Sequence, residues 1–246
     1  MSTILEIKNL RFKYNKNSPV ILDSIDMDIE ENSITAIAGL SGCGKSTLAF
    51  ILCGAIPKSL PGLVEGDILL RNKNIKNLPL SSISKEIGLV FQEVDNQLFL
   101  PSVESEIAFA PENHCLPYEE IDNIIDSILK KLNIEHLRHK NPSFLSGGEK
   151  RLIAIASILS MNPDIIILDE VMANLDTENK QLIVNIMKTL QQLGKTIIFI
   201  DHNLDNLMIA DYIYLMKEGK IEDLLKGGQD NEFIYKKISD FFLSQI

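Results

Sequence analysis

The stretch GLSGCGKST, residues 39–47, lies between the apolar runs ITAIA before it and LAFILCGAI after it. These runs predict a buried strand and a helix, joined by a turn that is rich in small residues. The glycine spacing and the closing Lys-Ser pair fit a loop that binds nucleotide phosphates, because wrapped backbone N–H groups and a helix N-terminus attract anions. The residues predicted to bind nucleotide are Gly39, Leu40, Ser41, Gly42, Cys43, Gly44, Lys45, Ser46 and Thr47.

Within this phosphate loop, residues 39–47, two side chains have specific predicted roles. The motif places Lys45 against the β- and γ-phosphates and Ser46 on Mg²⁺. Cys43 lies in the loop close to the N-terminus of the predicted helix, which stabilises a thiolate. We therefore expect Cys43 to react with thiol reagents and bound nucleotide to protect it.

A second apolar run, IIILDE at residues 165–170, ends in two adjacent carboxylates. Neighbouring side chains of a strand point in opposite directions, so Asp169 and Glu170 can do different work. Because the chain also has a phosphate loop, we expect Asp169 to hold hydrated Mg²⁺ and Glu170 to polarise an attacking water. The alternative is that the two carboxylates only cap a helix.

The whole chain predicts an α/β fold, a P-loop NTPase core with two additions. Alternating runs before residue 70 predict an N-terminal antiparallel β lobe. Helical periodicity over about residues 95–157 predicts an inserted α-helical lobe, after which buried strands and helices alternate again. We treat residues 1–246 as a single domain that ends in a strand pair, a Gly-Gly linker and a C-terminal helix over about 229–246.

Composition and charge limit the possible classes. The net charge of −10 argues against nucleic acid as a partner, and we expect the basic residues around Arg138–Lys140 to lie on a solvated face. Three irregularly spaced cysteines indicate neither a disulfide framework nor a zinc site. No apolar run approaches the roughly 18–20 residues of a membrane helix, and the N-terminus lacks a secretory signal. We expect a reduced, cytoplasmic protein.

The stretch LSGGE, residues 145–149, points to one family. Together with the phosphate loop, the Asp169–Glu170 pair and His202 after the next strand, it resembles the ATPase subunit of ATP-binding-cassette (ABC) transporters. The resemblance covers nearly the whole chain, and the motifs occur in family order. It implies that the protein binds ATP and Mg²⁺ and hydrolyses ATP to ADP and phosphate to drive transport.

The resemblance also implies a dimer. The signature residues, Ser146, Gly147, Gly148 and Glu149, would bind the γ-phosphate held by the phosphate loop of a second ABC ATPase subunit, identical or different. ATP then joins two subunits head to tail and hydrolysis releases them. The pair of subunits therefore has two states, and ATP binds one of them far better than the other.

Four further residues match family positions. Tyr14 would stack on adenine, and the alternative is that Tyr14 lies in the core. Asp176 would belong to the loop that contacts the second subunit across the dimer interface. Gln92 would contact Mg²⁺ and hinge the helical lobe, and His202 would contact the γ-phosphate. The resemblance thus implies Glu170, His202 and Gln92 as catalytic residues. Magnesium would be bound by Ser46, Gln92 and, through water, Asp169.

The segment after Gln92 is similar to that of the ATPases of energy-coupling-factor and cobalt/nickel importers. The matching residues are Asp95, Gln97, Leu98, Phe99, Val103, Glu104, Ile107, Ala108, Phe109 and Pro111. This similarity implies a place at the cytoplasmic face of the membrane, against a membrane-embedded coupling subunit and a substrate-binding membrane subunit, and uptake of a vitamin or transition metal ion. Phe99 would anchor the coupling subunit; the alternative is a core Phe99.

The chain departs from the family pattern at Glu93-Val94, Glu149, Arg151-Leu152 and Val171-Met172. We expect the charge of Glu149 near the partner's ATP to slow turnover or to favour a particular partner. Another ABC importer or exporter branch remains an alternative. Non-transport ABC ATPases of DNA repair are a remote one, because the segment between Gln92 and Ser146 is too short for their coiled-coil arm.

The C-terminal segment carries an apolar pattern at helical spacing. Its apolar residues, predicted to share one helical face, are Phe233, Ile234, Ile238, Phe241 and Phe242. We expect this face to pack on the protein's own core, or else to bind a partner subunit. His114, His136 and His139 match no motif and are expected to be surface or loop residues.

Overall fold

The computed structural model describes residues 2–228 and 231–244. Its strands are β1 (Thr3–Lys13), β2 (Leu22–Glu30), β3 (Ile34–Ala38), β4 (Leu63–Leu70), β5 (Lys73–Asn74), β6 (Ile87–Val90), β7 (Ile165–Asp169), β8 (Thr196–Asp201), β9 (Tyr212–Lys217) and β10 (Lys220–Lys226). Its helices are α1 (Lys45–Leu52), α2 (Ala55–Lys58), α3 (Leu80–Glu86), α4 (Val103–Asn113), α5 (Tyr118–Leu132), α6 (Gly147–Leu159), α7 (Thr177–Gln192), α8 (Leu204–Leu207) and α9 (Asn231–Leu243). The predicted α/β class is confirmed.

The N-terminal lobe is the predicted antiparallel sheet, with strand order β2-β1-β4-β5. In β2 the side chains of Ile25, Met27 and Ile29 are buried and the residues between them are exposed. This period-two alternation is what a sheet with one face on the core requires. The buried face packs on α1 and on one side of the second sheet.

The second sheet positions the chemistry. Its order is β10-β9-β3-β8-β7-β6, and the pairs among β9, β3, β8, β7 and β6 are all parallel. The phosphate loop follows β3, Glu170 follows β7 and His202 follows β8. Because parallel strands end at the same edge, these three segments lie side by side at the carboxyl edge of the sheet.

Helices α4, α5 and α6 fall in the region predicted to be helical, and their apolar sides join the larger buried cluster. The bounds of that lobe, 95–157, and of the single domain, 1–246, stay predictions. In the basic cluster around Arg138–Lys140, Lys140 is exposed as expected, whereas Arg138 is partly buried. Its side chain is only 21% exposed and bonds to Glu104 of α4 and to Asp122 and Asp126 of α5. Three carboxylates converge on one guanidinium, whose fork of donors can serve them together.

Helix α9 is the predicted C-terminal helix, although residues 229–230 and 245–246 of the predicted span lie outside the described residues. The residues that pack on the core are Ile234, Ile238, Phe241 and Phe242. The placement of Phe233 on this face is wrong, because it precedes Ile234 by one position and is rotated about 100° around the helix. Phe233 is exposed, with the Lys237 ammonium 5.7 Å from its ring centroid.

In the described part of the chain, no helix combines the length and the apolar character needed to cross a membrane.

Candidate nucleotide site

The phosphate loop depends on two glycines and one lysine. Gly44, with φ of 109°, caps the N-terminus of α1 in the left-handed region that glycine adopts without strain. A Cβ on Gly39 would lie 2.2 Å from the carbonyl oxygen of Met216 in β9. The Lys45 ammonium donates to the carbonyl oxygens of Gly39 at 2.8 Å and Leu40 at 2.9 Å. The loop therefore curls around this positive charge, and Lys45 is one of the residues that line the adjoining cleft.

An open cleft of about 310 Å³ lies beside this loop. Its lining residues are Tyr14, Ile21, Ser41, Gly42, Gly44, Lys45, Ser46, Thr47, Gln92 and Glu170. Tyr14 is exposed, which rules out the core alternative, and its hydroxyl lies 3.2 Å from the Thr47 hydroxyl. Its ring stands edge-on to Phe12 with centroids 4.9 Å apart. The predicted stacking of Tyr14 on adenine stays a prediction.

Of the three residues predicted to be catalytic, Gln92 and Glu170 line the cleft and His202 lies beside Glu170. The side-chain amide of Gln92 donates to Glu170 Oε2 at 2.7 Å, and Nδ1 of His202 lies 3.8 Å from Glu170 Oε1. Glu170 has φ of 47°, an uncommon conformation for a non-glycine residue. Its N–H donates to the Ile200 carbonyl oxygen at 3.1 Å, which ties the strained turn to β8. Such strain is maintained by the surrounding structure and is concentrated at functional sites.

Asp169 provides a test of the Mg²⁺ prediction. The residue is buried, and its Oδ1 has no hydrogen-bond partner among the described residues. Burial raises the pKa of this carboxyl, while the Ser46 hydroxyl beside it acts in the opposite direction. A buried carboxylate oxygen without a partner is rare unless an ion or water completes it. Oxygen ligands are also what Mg²⁺ prefers. The residues therefore fit a magnesium ion held between Ser46 and Asp169.

The signature loop is closed on itself by a capping box at the start of α6. Ser146 donates from its N–H and its hydroxyl to Glu149 Oε2 at 2.8 and 2.7 Å, and the Glu149 N–H donates to Ser146 Oγ at 3.3 Å. The bonds from Ser146 lower the pKa of the Glu149 carboxyl. The carboxylate of Glu149 is thus bound by donors of its own chain, as in the capping boxes of other helices.

The signature loop and the phosphate loop form separate sites. None of the described residues that line the cleft belongs to residues 145–149. Each loop nevertheless presents backbone N–H groups at a helix N-terminus, where anions bind. Within one copy of the chain, the two loops therefore share no cleft in the part that the structure describes.

Two residues that sequence reasoning did not assign connect the signature helix to the loop before α7. A Cβ on Gly148 would lie 2.9 Å from Asn179 Oδ1, and Asn179 donates from its N–H and its side chain to Asp176, both at 2.8 Å. Arg151 donates to the Ala173 carbonyl oxygen at 3.0 Å. The signal for Asn179 was available, since an Asp three positions before a polar residue marks a helix N-cap. Arg151 is one of the positions at which the chain departs from the family pattern.

Cys43 does not match its expected chemistry. The thiol is half-buried, with Sγ 3.9 Å from the Lys45 ammonium. Burial raises the pKa of the Cys43 thiol, and the nearby Lys45 charge only partly opposes this. The expectation of a stabilised thiolate is wrong, because it considered the helix N-terminus and left out burial in the neighbouring apolar cluster.

The segment after Gln92 presents two aromatic rings. Phe99 is 65% exposed, which rules out the core alternative, and it meets Phe109 edge-on with centroids 5.3 Å apart. Beneath the segment, the buried Glu106 accepts the Leu100 N–H. Gln97 accepts the Phe91 N–H at 3.0 Å and so fixes the turn that leads from Gln92 to Phe99. Phe99 and Phe109, called the aromatic pair below, are held outward by groups of their own chain.

The histidines follow the prediction. His136 and His139 are exposed, His114 is half-buried, and none of the three lines the cleft in the described structure.

Sequence comparison decides the family. A family model described as ABC transporter matches residues 22–173. The chain belongs to the ABC transporter family. It is 40% identical to a putative ABC transporter ATP-binding protein of Caldanaerobacter subterraneus, over 93% of this chain and 40% of that protein. It is 34% identical to the energy-coupling factor transporter ATP-binding protein EcfA1 of Mycoplasma mobile, over 89% of this chain and 78% of that protein.

A solved structure agrees with these relatives. The structure of cbiO1 from Clostridium perfringens, described as part of the ABC transporter complex cbiONQ, superposes with a TM-score of 0.83 at 34% identity and 100% coverage of both chains. The predicted fold, the predicted ABC ATPase activity and the predicted resemblance to energy-coupling-factor and cobalt importer ATPases are confirmed by these matches. The chain spans less than half the length of the Caldanaerobacter protein and most of EcfA1.

Proposed function

We propose that this chain is the ATP-hydrolysing subunit of an energy-coupling-factor type importer, working with a second ABC ATPase subunit and with membrane-embedded subunits. One observation carries the proposal: Gln92, Glu170 and His202 converge beside the phosphate loop, next to the unpartnered oxygen of Asp169. A cleft with only a phosphate loop could bind nucleotide. The addition of a positioned carboxylate and a metal ligand is what hydrolysis requires.

In the proposed reaction, water attacks the γ-phosphorus of ATP and the bond to the β-γ bridging oxygen breaks, which gives ADP and phosphate. Glu170 accepts a hydrogen bond from the attacking water and polarises it, and the Gln92 amide fixes the carboxylate through its 2.7 Å bond. Lys45 binds the β- and γ-phosphates, and the exposed ring of His202 faces the γ-phosphate. Bound Mg²⁺, held by Ser46, Gln92 and, through water, Asp169, would neutralise charge that develops on the phosphate oxygens.

The second ATPase subunit completes the site. Ser146 and the backbone of Gly147 and Gly148 would bind the γ-phosphate presented by the partner, an arrangement supported by the absence of this loop from the lining of its own chain's cleft in the described residues. Asp176 caps α7 next to the signature helix and would lie at the same interface. ATP binding then favours the closed dimer and hydrolysis the open one, because only the closed state contacts the nucleotide from both sides.

The aromatic pair would bind a membrane-embedded coupling subunit. Through this contact, closure of the ATPase dimer would move the coupling subunit. Exposed aromatic rings at a rigid site are the usual anchors of protein interfaces. We place the chain at the cytoplasmic face of the membrane as a peripheral subunit. The cargo is a vitamin or a transition metal ion taken up through a separate substrate-binding membrane subunit, and this chain does not touch the cargo itself.

The test is to purify the chain from its own cell together with its membrane partners and to measure Mg-ATP hydrolysis. Partners that include a membrane protein, with hydrolysis that requires both Mg²⁺ and this chain, are expected. The matched control is Tyr118→Ala, an exposed aromatic of α5 away from the cleft, which should leave hydrolysis unchanged. Hydrolysis that persists at the same rate after Glu170→Gln would contradict the proposed mechanism.

A further inference from the structure

The loop that carries His202 is organised by one buried carboxylate. Asp201 is the last residue of β8 and is 4% exposed. Its Oδ1 accepts the N–H of His202 at 2.7 Å and the N–H of Asn203 at 2.8 Å. Its Oδ2 accepts the side-chain amide of Asn206 at 2.8 Å. Both oxygens are therefore used, and all three donors belong to the turn that follows β8.

These bonds matter because little else holds the histidine. In the described structure, the one polar contact of the His202 ring is with Glu170 Oε1 at 3.8 Å, which is too long for a hydrogen bond. The ring is half-exposed, so packing does not fix it either. Its position comes from its backbone, and its backbone N–H is bound to Asp201.

Asp201 itself is fixed relative to the rest of the site. It pairs with Ala38 of β3, the strand that leads directly into the phosphate loop. Its neighbour Ile200 pairs with Asp169 and accepts the Glu170 N–H at 3.1 Å. The carboxylate of Asp201 thus fixes the position of the turn that carries His202 relative to the edge of the sheet. Hydrogen bonds to an ionised acceptor are roughly twice as strong as neutral ones, which suits this task.

We propose that Asp201 is a positioning residue for hydrolysis, which holds the turn after β8 so that the His202 ring faces the γ-phosphate. The proposal rests on the proposed ATPase function. Asp201 touches neither nucleotide nor water in this account and acts through His202 alone. Its loss should therefore lower turnover and leave nucleotide binding, which depends on the phosphate loop, nearly unchanged.

Substitutions at positions 201 and 206 can separate the effect of the carboxylate's charge from the effect of its hydrogen bonds. In Asp201→Asn, an amide NH₂ replaces one carboxylate oxygen and must face either the Asn206 amide or the backbone donors of the turn. In either orientation, the NH₂ group at position 201 faces another hydrogen-bond donor. Adding Asn206→Asp supplies an acceptor opposite that NH₂, while the remaining amide oxygen at position 201 still accepts the backbone N–H groups. The double variant therefore restores every bond with the two side chains exchanged.

The experiment compares wild type, Asp201→Asn, Asn206→Asp, the double variant and the control Asp205→Asn, each in the complex with its partners. Asp205 is exposed in the same turn, so its replacement removes the same charge without removing a bond to His202. The measurements are kcat and KM for Mg-ATP, Tm, and the hydrogen exchange of the His202 and Asn203 amides.

We expect Asp201→Asn to lower kcat by about 10- to 100-fold with KM for Mg-ATP nearly unchanged, in line with the effect of misplacing a catalytic group. The His202 and Asn203 amides should exchange faster, and the double variant should recover most of kcat and of the protection. Asp205→Asn should match wild type.

Unchanged kcat in Asp201→Asn would overturn the inference. So would a parallel loss of kcat and Tm that the double variant does not recover, since that marks a purely structural role. If the wild-type complex itself fails to hydrolyse Mg-ATP, the proposed function fails instead, and the exchange rates of the two amides still report whether Asp201 holds the turn.

Discussion

The amide of Gln92 and the carboxylate of Glu170 meet at 2.7 Å although 78 positions separate them in the chain. Gln92 follows β6 and Glu170 follows β7, and these neighbouring parallel strands bring the two residues to one edge of the sheet. Gln92 also begins the segment that ends in the aromatic pair. A shift of this segment on a membrane partner would therefore move the group that holds Glu170, which links docking to hydrolysis.

Replacing Glu170 by Gln should stop hydrolysis and preserve nucleotide binding. The amide that replaces the carboxylate can still accept from Gln92, but it lacks the charge that polarises water, so kcat should fall at least ~10²-fold. Lys45→Ala should instead weaken Mg-ATP binding, because the cation that the loop encloses is lost. Fluorescent-nucleotide titration and phosphate release measure the two effects. Equal losses of nucleotide affinity in both variants would contradict this division of roles.

Thiol labelling should reach Cys115 before Cys43. Cys115 is exposed, whereas Cys43 is half-buried and burial raises the pKa of its thiol. Because the thiolate is the reactive form, labelling of Cys43 should be slow at pH 7 and accelerate as the pH rises through and above the ordinary thiol range. Mass spectrometry after timed alkylation follows each site, with Cys43→Ser as the control. Faster labelling of Cys43 than of Cys115 at pH 7 would contradict the raised pKa.

Phe99→Ala should detach the chain from its membrane partner without unfolding it. The ring is largely exposed, so its removal leaves no cavity, and an anchor of this kind commonly contributes at least ~2 kcal/mol to binding. Phe109→Ala should act in the same direction, because its ring supports Phe99 edge-on. Tyr118→Ala is the matched control on the same lobe. Membrane co-sedimentation and Tm separate the outcomes: retained binding with a lowered Tm would mean that the aromatic pair is structural.

Glu149→Gln should increase turnover in the dimer. The carboxylate occupies the N–H and hydroxyl donors of Ser146 and repels the phosphate that would approach them from the partner. A neutral amide still closes the capping box but competes less with an anion. The rate at saturating Mg-ATP, measured in the complex, checks this. Slower turnover than wild type would show instead that the carboxylate aids closure.

The same residue should give a pH-dependent contribution to stability. The folded-state pKa of Glu149 is lowered by its bonds from Ser146, so its contribution is present above the ordinary glutamate pKa and is lost as the pH falls through the folded-state value. Glu149→Ala should lower the free energy of unfolding by no more than about 1 kcal/mol at pH 7, because it removes the bonds that Ser146 donates to a largely solvated carboxylate and leaves the Ser146 N-cap in place. The difference from wild type should shrink at acidic pH in urea titrations. A constant difference down to pH 3 would contradict the linkage.

The sequence by itself determined the α/β class and the order of its elements. It also predicted which residues would carry the nucleotide chemistry, because the phosphate loop, the paired carboxylates and the signature loop are local patterns whose spacing reflects their physics. It could not determine Asp201, which reads as the last residue of an apolar strand. The role of Asp201 comes from donors that the following turn directs back at it.

Tertiary structure alone decided the burial and the charge surroundings of the predicted residues. Burial raises the pKa of the Cys43 thiol, Phe233 faces solvent because of its angular position on α9, and Arg138 joins two helices through three carboxylates. Each of these depends on how much water and how many charges surround a side chain, and that is set by segments far away in the chain. Local sequence patterns largely determine backbone conformation. Desolvation and charge pairing instead depend on all the groups that surround a side chain, and only the folded chain brings those groups together.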